Sequence, residues 1–113
     1  MYCPNFEDFR QKTKHGNLIP VYKSILADME TAVSAFYKID DGEHGFLLES
    51  VEGGEHLGRY SFLGSEPSIL FQSKDKHVRI EDLRTGQTTE LESNYPLGEL
   101  EKLMSRYQPV AVE

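Results

Sequence analysis

With 113 residues the chain is long enough to bury a core without disulfides or metals and too short for more than one ordinary domain. Nineteen acidic against twelve basic residues leave a formal charge of −7, which repels a phosphate backbone and excludes nucleic acid as an expected partner. Cys3 stands alone, so an internal disulfide is excluded and a reducing, cytoplasmic setting is expected; no apolar run approaches the roughly 20 residues of a membrane span or forms the core of a signal peptide.

In chain order, Asn5 as N-cap, Phe6, Phe9 and Arg10 at helical spacing and Gly16 as a stop predict a helix over 5–14. Leu18–Leu26 reads as a strand with Ile19, Val21 and Ile25 on one parity, and Pro20 places it at a sheet edge or strand start. Asp28 opens a second helix signal, and Val33, Phe36, Tyr37 and Ile39 predict a short amphipathic helix within 31–39, broken by Asp40-Asp41-Gly42. From His44 the pattern turns to strands. His44–Val51 and Arg59–Gly64 flank the turn Glu52-Gly53-Gly54-Glu55, a further turn spans Gly64-Ser65-Glu66-Pro67, and Ser68–Ser73, His77–Leu83 and Gln87–Leu91 follow at hairpin spacing. Pro96 sits in the first turn of a last helix, with Leu97, Leu100, Leu103, Met104 and Tyr107 on its core face and its end before Pro109. The predicted class is α+β, an antiparallel meander with flanking helices. The chain stops in the strand-like Val110-Ala111-Val112 without a capping signal, which predicts a cut within a longer chain and self-association of the isolated piece.

The informative stretch is 46–64. The apolar run Phe46-Leu47-Leu48 delivers a carboxylate, Glu49, and a hydroxyl, Ser50, to a strand end; after the Gly-Gly turn the chain returns through Arg59-Tyr60-Ser61-Phe62. Acid, hydroxyl, guanidinium and phenol across a hairpin suit an amino-acid zwitterion. In strict alternation Glu49 follows Leu47 onto a face predicted to be covered, where a carboxylate costs several kcal/mol unless it meets a cation or donors. Two partners satisfy that demand: Arg59 across the hairpin, or a ligand ammonium. His15, His44, His56 and His77 are scattered rather than paired as zinc ligands are, and read as surface histidines. No serine sits in a nucleophile elbow, Cys3 has no base partner, and Gly53-Gly54 with Gly58 is turn chemistry rather than a phosphate loop. No catalytic set is visible.

Leu47-Leu48-Glu49-Ser50 together with Gly58-Arg59-Tyr60-Ser61-Phe62-Leu63-Gly64 resembles the N-terminal region of anthranilate synthase component I. The likeness extends through Ile19-Pro20-Val21-Tyr22, Ala27-Asp28-Met29-Glu30-Thr31 and Val33-Ser34-Ala35-Phe36 and resumes at Ser105-Arg106-Tyr107-Gln108-Pro109-Val110, covering nearly the whole chain. Ala32 departs from the family, which often has proline there, and is expected to loosen the helix start. The resemblance implies a regulatory domain over 1–113, part of a larger two-sheet sandwich and cut before the catalytic chorismate-binding domain. It implies an allosteric L-tryptophan site to which Leu48, Glu49 and Ser50 contribute, with Arg59, Tyr60 and Ser61 opposite, and it favours ligand contact for Glu49 over the internal pair. It further implies that the whole subunit is a lyase turning chorismate and ammonia into anthranilate and pyruvate for tryptophan biosynthesis, under feedback inhibition. A glutaminase partner and Mg2+ are implied with it. The magnesium and catalytic residues belong outside this chain, so the chain alone is expected to be inactive.

Two rivals remain. Component I of aminodeoxychorismate synthase tends to carry Asp before the serine and a less regular Arg-Tyr-Ser-Phe, so Glu49 and Arg59–Phe62 favour the tryptophan enzyme. A stand-alone amino-acid-binding module would share the hairpin and lack a catalytic neighbour.

Overall fold

The computed structural model describes residues 1–49 and 60–112. Helix α1 (Phe6–Lys12) starts where Asn5 Oδ1 accepts the amide of Asp8 at 2.9 Å, and Glu7 and Asp8 in its first turn and Arg10 and Lys12 in its last complement the helix dipole. It ends short of the predicted 14, where Thr13 turns its hydroxyl back onto the Arg10 carbonyl at 2.6 Å. The strand expected over Leu18–Leu26 does not form. Among the described residues the segment is bridged at two points, Leu18 parallel to Pro109 and Tyr22 antiparallel to Cys3. Alternation creates a strand only where a neighbour supplies a ladder; Pro20 has no amide to offer one, and Ile25 and Leu26 stand exposed rather than alternating into a core.

Helix α2 (Ala32–Ile39) begins in a capping box: Thr31 Oγ1 accepts the Ser34 amide and Ser34 Oγ accepts the Thr31 amide. That reciprocal pair secures the helix start at Ala32, where a loosened start was expected. The Lys38 ammonium and the Ser34 hydroxyl, both bonded to Glu30, hold its carboxyl below the usual range. Asp28 lies in the turn before this cap rather than opening a helix. Thr31→Ala is expected to lower stability by about 1 kcal/mol, read as a lower denaturant midpoint at unchanged slope; Thr31→Ser should restore it.

Strands β1 (Gly45–Glu49) and β2 (Ser61–Ser65) pair antiparallel, and β3 (Ile69–Lys74), β4 (His77–Asp82) and β5 (Thr88–Glu92) form a second sheet in the order β3-β4-β5. The expected meander is therefore two small antiparallel sheets. Ser65 belongs to β2 rather than to the predicted turn, and the chain takes a positive φ of 53° at Glu66, directly after the strand. Asp75 makes the β3–β4 turn at φ 54°, a conformation Asp tolerates better than most residues. In the β4–β5 turn Asp82 Oδ1 accepts the Arg84 and Thr85 amides and Gly86 takes φ 76°.

Helix α3 (Pro96–Met104) has proline at its start and runs on to a C-cap at Ser105. Of the expected face, Leu103 is buried and Leu100 and Tyr107 are half-buried, whereas Leu97 and Met104 are exposed. At 100° per residue, Leu100 and Leu103 define one stripe and Leu97 and Met104 lie at its margin.

The chain divides into two units, Met1–Leu26 with Phe71–Arg79 and Glu90–Glu113, and Ala27–Leu70 with Ile80–Thr89. The first holds both buried apolar residues among those described, Val78 and Leu103. Within it the two ends of the chain are fastened together. Asn17 donates its side-chain amide to the Arg106 carbonyl at 2.7 Å and accepts the Gln108 amide on its Oδ1, while the Asn17 and Leu18 amides both reach the Gln108 carbonyl and Val110 N–H reaches Leu18. In the second unit α2 packs on β1 and β2.

Candidate functional site

The β1–β2 register determines which side chains can act together. Glu49 lies opposite Ser61, Leu48 opposite Phe62, Leu47 opposite Leu63, Phe46 opposite Gly64 and Gly45 opposite Ser65. Directly opposed residues share a face. One face therefore carries Gly45, Leu47 and Glu49 with Ser65, Leu63 and Ser61, and the Phe36 ring of α2 closes on it: a Cβ on Gly45 would lie 3.0 Å from that ring. Leu47 and Leu63 are half-buried there. The other face carries Phe46, Leu48 and Phe62, exposed by 51%, 61% and 62%. The Phe46 ring lies across Gly64 in space a side chain would occupy.

Glu49 is exposed, which corrects the expectation of a covered carboxylate. The cover reaches Gly45 through Phe36 and shades Leu47, and it has ended by the last residue of β1. The alternation is right and the lid is shorter than the strand. The carboxylate meets solvent beside the Ser61 hydroxyl, so its desolvation does not compel an internal cation. Tyr60, also exposed, precedes β2. Ser50 and Arg59 lie outside the described residues, as do the Glu49–Arg59 pair and His56.

Among the described residues, hollows lie elsewhere. One, of about 380 Å³, is lined by Glu43, His44, Phe46, Ser65, Pro67 and Leu70 at the β1 end remote from Glu49. Beside it Asp41 accepts the Glu43 and His44 amides, the bond from Glu43 being the main cause of its lowered carboxyl pKa. Another, of about 620 Å³, lies between the first helix and the chain end and includes Cys3, Asp8, Lys12 and His15. Among the described residues no three His, Cys, Asp or Glu side chains gather as metal ligands. His15 and His77 are exposed, the latter 3.3 Å from Glu90, and His44 is half-buried. No helix among the described residues is long and apolar enough to cross a membrane.

Over nearly its full length the chain is similar to curated proteins of one kind. It is 44% identical over 112 residues to anthranilate synthase component 1 of Synechocystis sp., a match covering 97% of this chain and 22% of that protein. It is 35% identical over 108 residues to anthranilate synthase component 1 of Acetivibrio thermocellus, covering 96% and 22%. The chain belongs to the anthranilate synthase component I family. A further member, anthranilate synthase component 1 of Pseudomonas aeruginosa, is 36% identical over 105 residues, covering 92% of this chain and 21% of its own. The chain spans about a fifth of the length of the curated relatives it matches. No family model matches the chain, and no solved structure does.

For this member of the family the hairpin brings together one pair of the residues singled out by resemblance, Glu49 and Ser61, as direct cross-strand neighbours. It turns Leu48 to the opposite face, beside Phe62. Alternation already grouped Leu47 with Glu49, and the register adds Leu63, so that both continue the Glu49–Ser61 face by one repeat. The signal was available as parity: Leu47 precedes Glu49, and Leu63 follows Ser61, by two residues.

Proposed function

We propose that this chain is the N-terminal, regulatory part of an anthranilate synthase large subunit and that its β1–β2 hairpin supplies half of an L-tryptophan feedback site. In this reading the whole cytoplasmic subunit aminates chorismate with ammonia, drawn from glutamine by a glutaminase partner, and eliminates pyruvate to leave anthranilate for tryptophan biosynthesis. The observation that carries the reading is the register of Glu49 against Ser61 at the open end of the α2 face, in a chain of this family.

The chemistry of those side chains suits an amino-acid zwitterion. Glu49 receives the ammonium in a charge-assisted bond, roughly twice as strong as a neutral one. The Ser50 and Ser61 hydroxyls donate to the ligand carboxylate or accept from its ammonium, and the Arg59 guanidinium takes the carboxylate in a fork. Leu48 and Tyr60 complete the hairpin's share. An inhibitor acts only if it binds the inactive arrangement better than the active one, a coupling of typically 1–3 kcal/mol. The magnesium that chorismate chemistry calls for is assigned in this reading to the remainder of the subunit, and no step is routed through this chain.

The test is anthranilate fluorescence with chorismate, ammonia and magnesium. A full subunit bearing these residues should turn over and be suppressed by L-tryptophan, and the 113-residue chain alone should give none. Turnover insensitive to tryptophan overturns the regulatory reading; turnover by the chain alone overturns the placing of catalysis outside it.

A further inference from the structure

Resting on the reading of this chain as part of a large subunit, we infer that the reverse face of the β1–β2 hairpin seats a segment from the rest of that subunit, an apolar side chain flanked by a lysine or arginine. Phe46, Leu48 and Phe62 form an apolar row on this face, each more than half exposed. At one end of the row the Phe46 ring lies over Gly64 and borders the hollow of about 380 Å³, whose wall continues through Pro67 and Leu70. Single exposed apolar side chains are ordinary on a surface, but a contiguous row running into a socket marks a site of contact. A two-stranded sheet with α2 on one face also needs a second layer to stand in water. The rim of the socket sets the charge of what fits. Glu43 lines it, Asp41 accepts the Glu43 and His44 amides, and Glu66 stands between the lining residues Ser65 and Pro67. All three acids are exposed, and neither 39–49 nor 60–70 contains a lysine or arginine. A second copy would bring the same acidic rim to the contact, which like-charge repulsion opposes. A segment of the same subunit avoids the entropy cost of association, because the chain tethers it. The relatives have ample length to supply it, since the matched part is 22% of the Synechocystis protein and 22% of the Acetivibrio one.

The experiment is hydroxyl-radical footprinting of the full subunit, read by mass spectrometry at Phe46 and Phe62, and it needs no substitution. Both rings are expected to be almost unreactive in the native subunit, at low and high protein concentration alike, and to react fully once it is unfolded. Reaction near half the unfolded rate, as rings left 51% and 62% exposed would give, overturns the inference. Protection that fades on dilution assigns the face to a second copy, and protection that appears only when a glutaminase is added assigns it to a partner; either result overturns it as well. Glu43→Lys combined with Glu66→Lys tests the flanking charge. Repulsion of the facing cation should raise Phe46 oxidation several-fold, and an unmoved rate overturns the cationic half of the inference. Glu43→Gln with Glu66→Gln should raise it by less and serves if the reversed pair does not fold. Anthranilate formation by the same preparation separates the inference from its foundation. Protected rings without turnover refute the large-subunit reading alone, and turnover with open rings refutes the covered face alone.

Discussion

Glu49→Gln in the full subunit is expected to weaken tryptophan inhibition between about tenfold and a hundredfold, the equivalent of the ~1.5–3 kcal/mol carried by a hydrogen bond to a charged group. Activity without tryptophan should remain near that of the parent, and so should the melting temperature. The stability half of this expectation comes from the structure. Glu49 is exposed at the last position of β1, and an exposed substitution away from caps and buried networks usually falls within about 0.5 kcal/mol. A carboxylate buried against Arg59 would behave in the opposite way, lowering the melting temperature and sparing inhibition. Inhibition curves and thermal melts on the same preparation therefore decide between the two roles, and a variant that melts early yet is fully inhibited removes Glu49 from the ligand site.

Gly16→Ala is expected to loosen the first unit by roughly 1–3 kcal/mol, the scale of overpacking. A Cβ at Gly16 would lie 2.3 Å from the Gln108 carbonyl oxygen and 2.7 Å from a Val110 methyl. The methyl can rotate away. The carbonyl cannot, because it accepts the Asn17 and Leu18 amides and fixes the Leu18–Pro109 bridge. Hydrogen exchange gives the check: protection at Leu18 and Val110 should fall while β1 and β2 are untouched. Unchanged protection at those two amides would show that the chain ends are not held by this contact.

Local chemistry made much of the fold legible. Asn5, Thr31 with Ser34, and Pro96 each announce a helix start through groups within four residues of themselves, and the turns at Asp75 and Gly86 are announced by residues that accept positive φ. Leu18–Leu26 misled because a strand is completed by its neighbour, and nothing in the segment reveals that, among the described residues, it is bridged only at Leu18 and Tyr22. The same lesson holds at the site. Alternation correctly grouped Glu49 with Leu47, but the extent of the cover depends on where Phe36 lands, at Gly45, four residue pairs away from the carboxylate. The pairing of Glu49 with Ser61 likewise needs a register that a long connection leaves open. Family resemblance pointed to the motif residues, and only the register separated those that share a face from those that do not.

The Asn17 amide, spanning 89 residues to Arg106 and 91 to Gln108, also sets an order of events during synthesis. At ~5–20 residues per second a ribosome needs on the order of ten seconds to supply those partners. Over that interval the first 26 residues of the chain have no route to their native hydrogen bonds at 106–110, whereas α2, β1 and β2 can already assemble. The nascent protein thus builds its proposed sensor hairpin before Asn17 meets its partners, leaving α1 without those bonds until residues 106–110 have emerged.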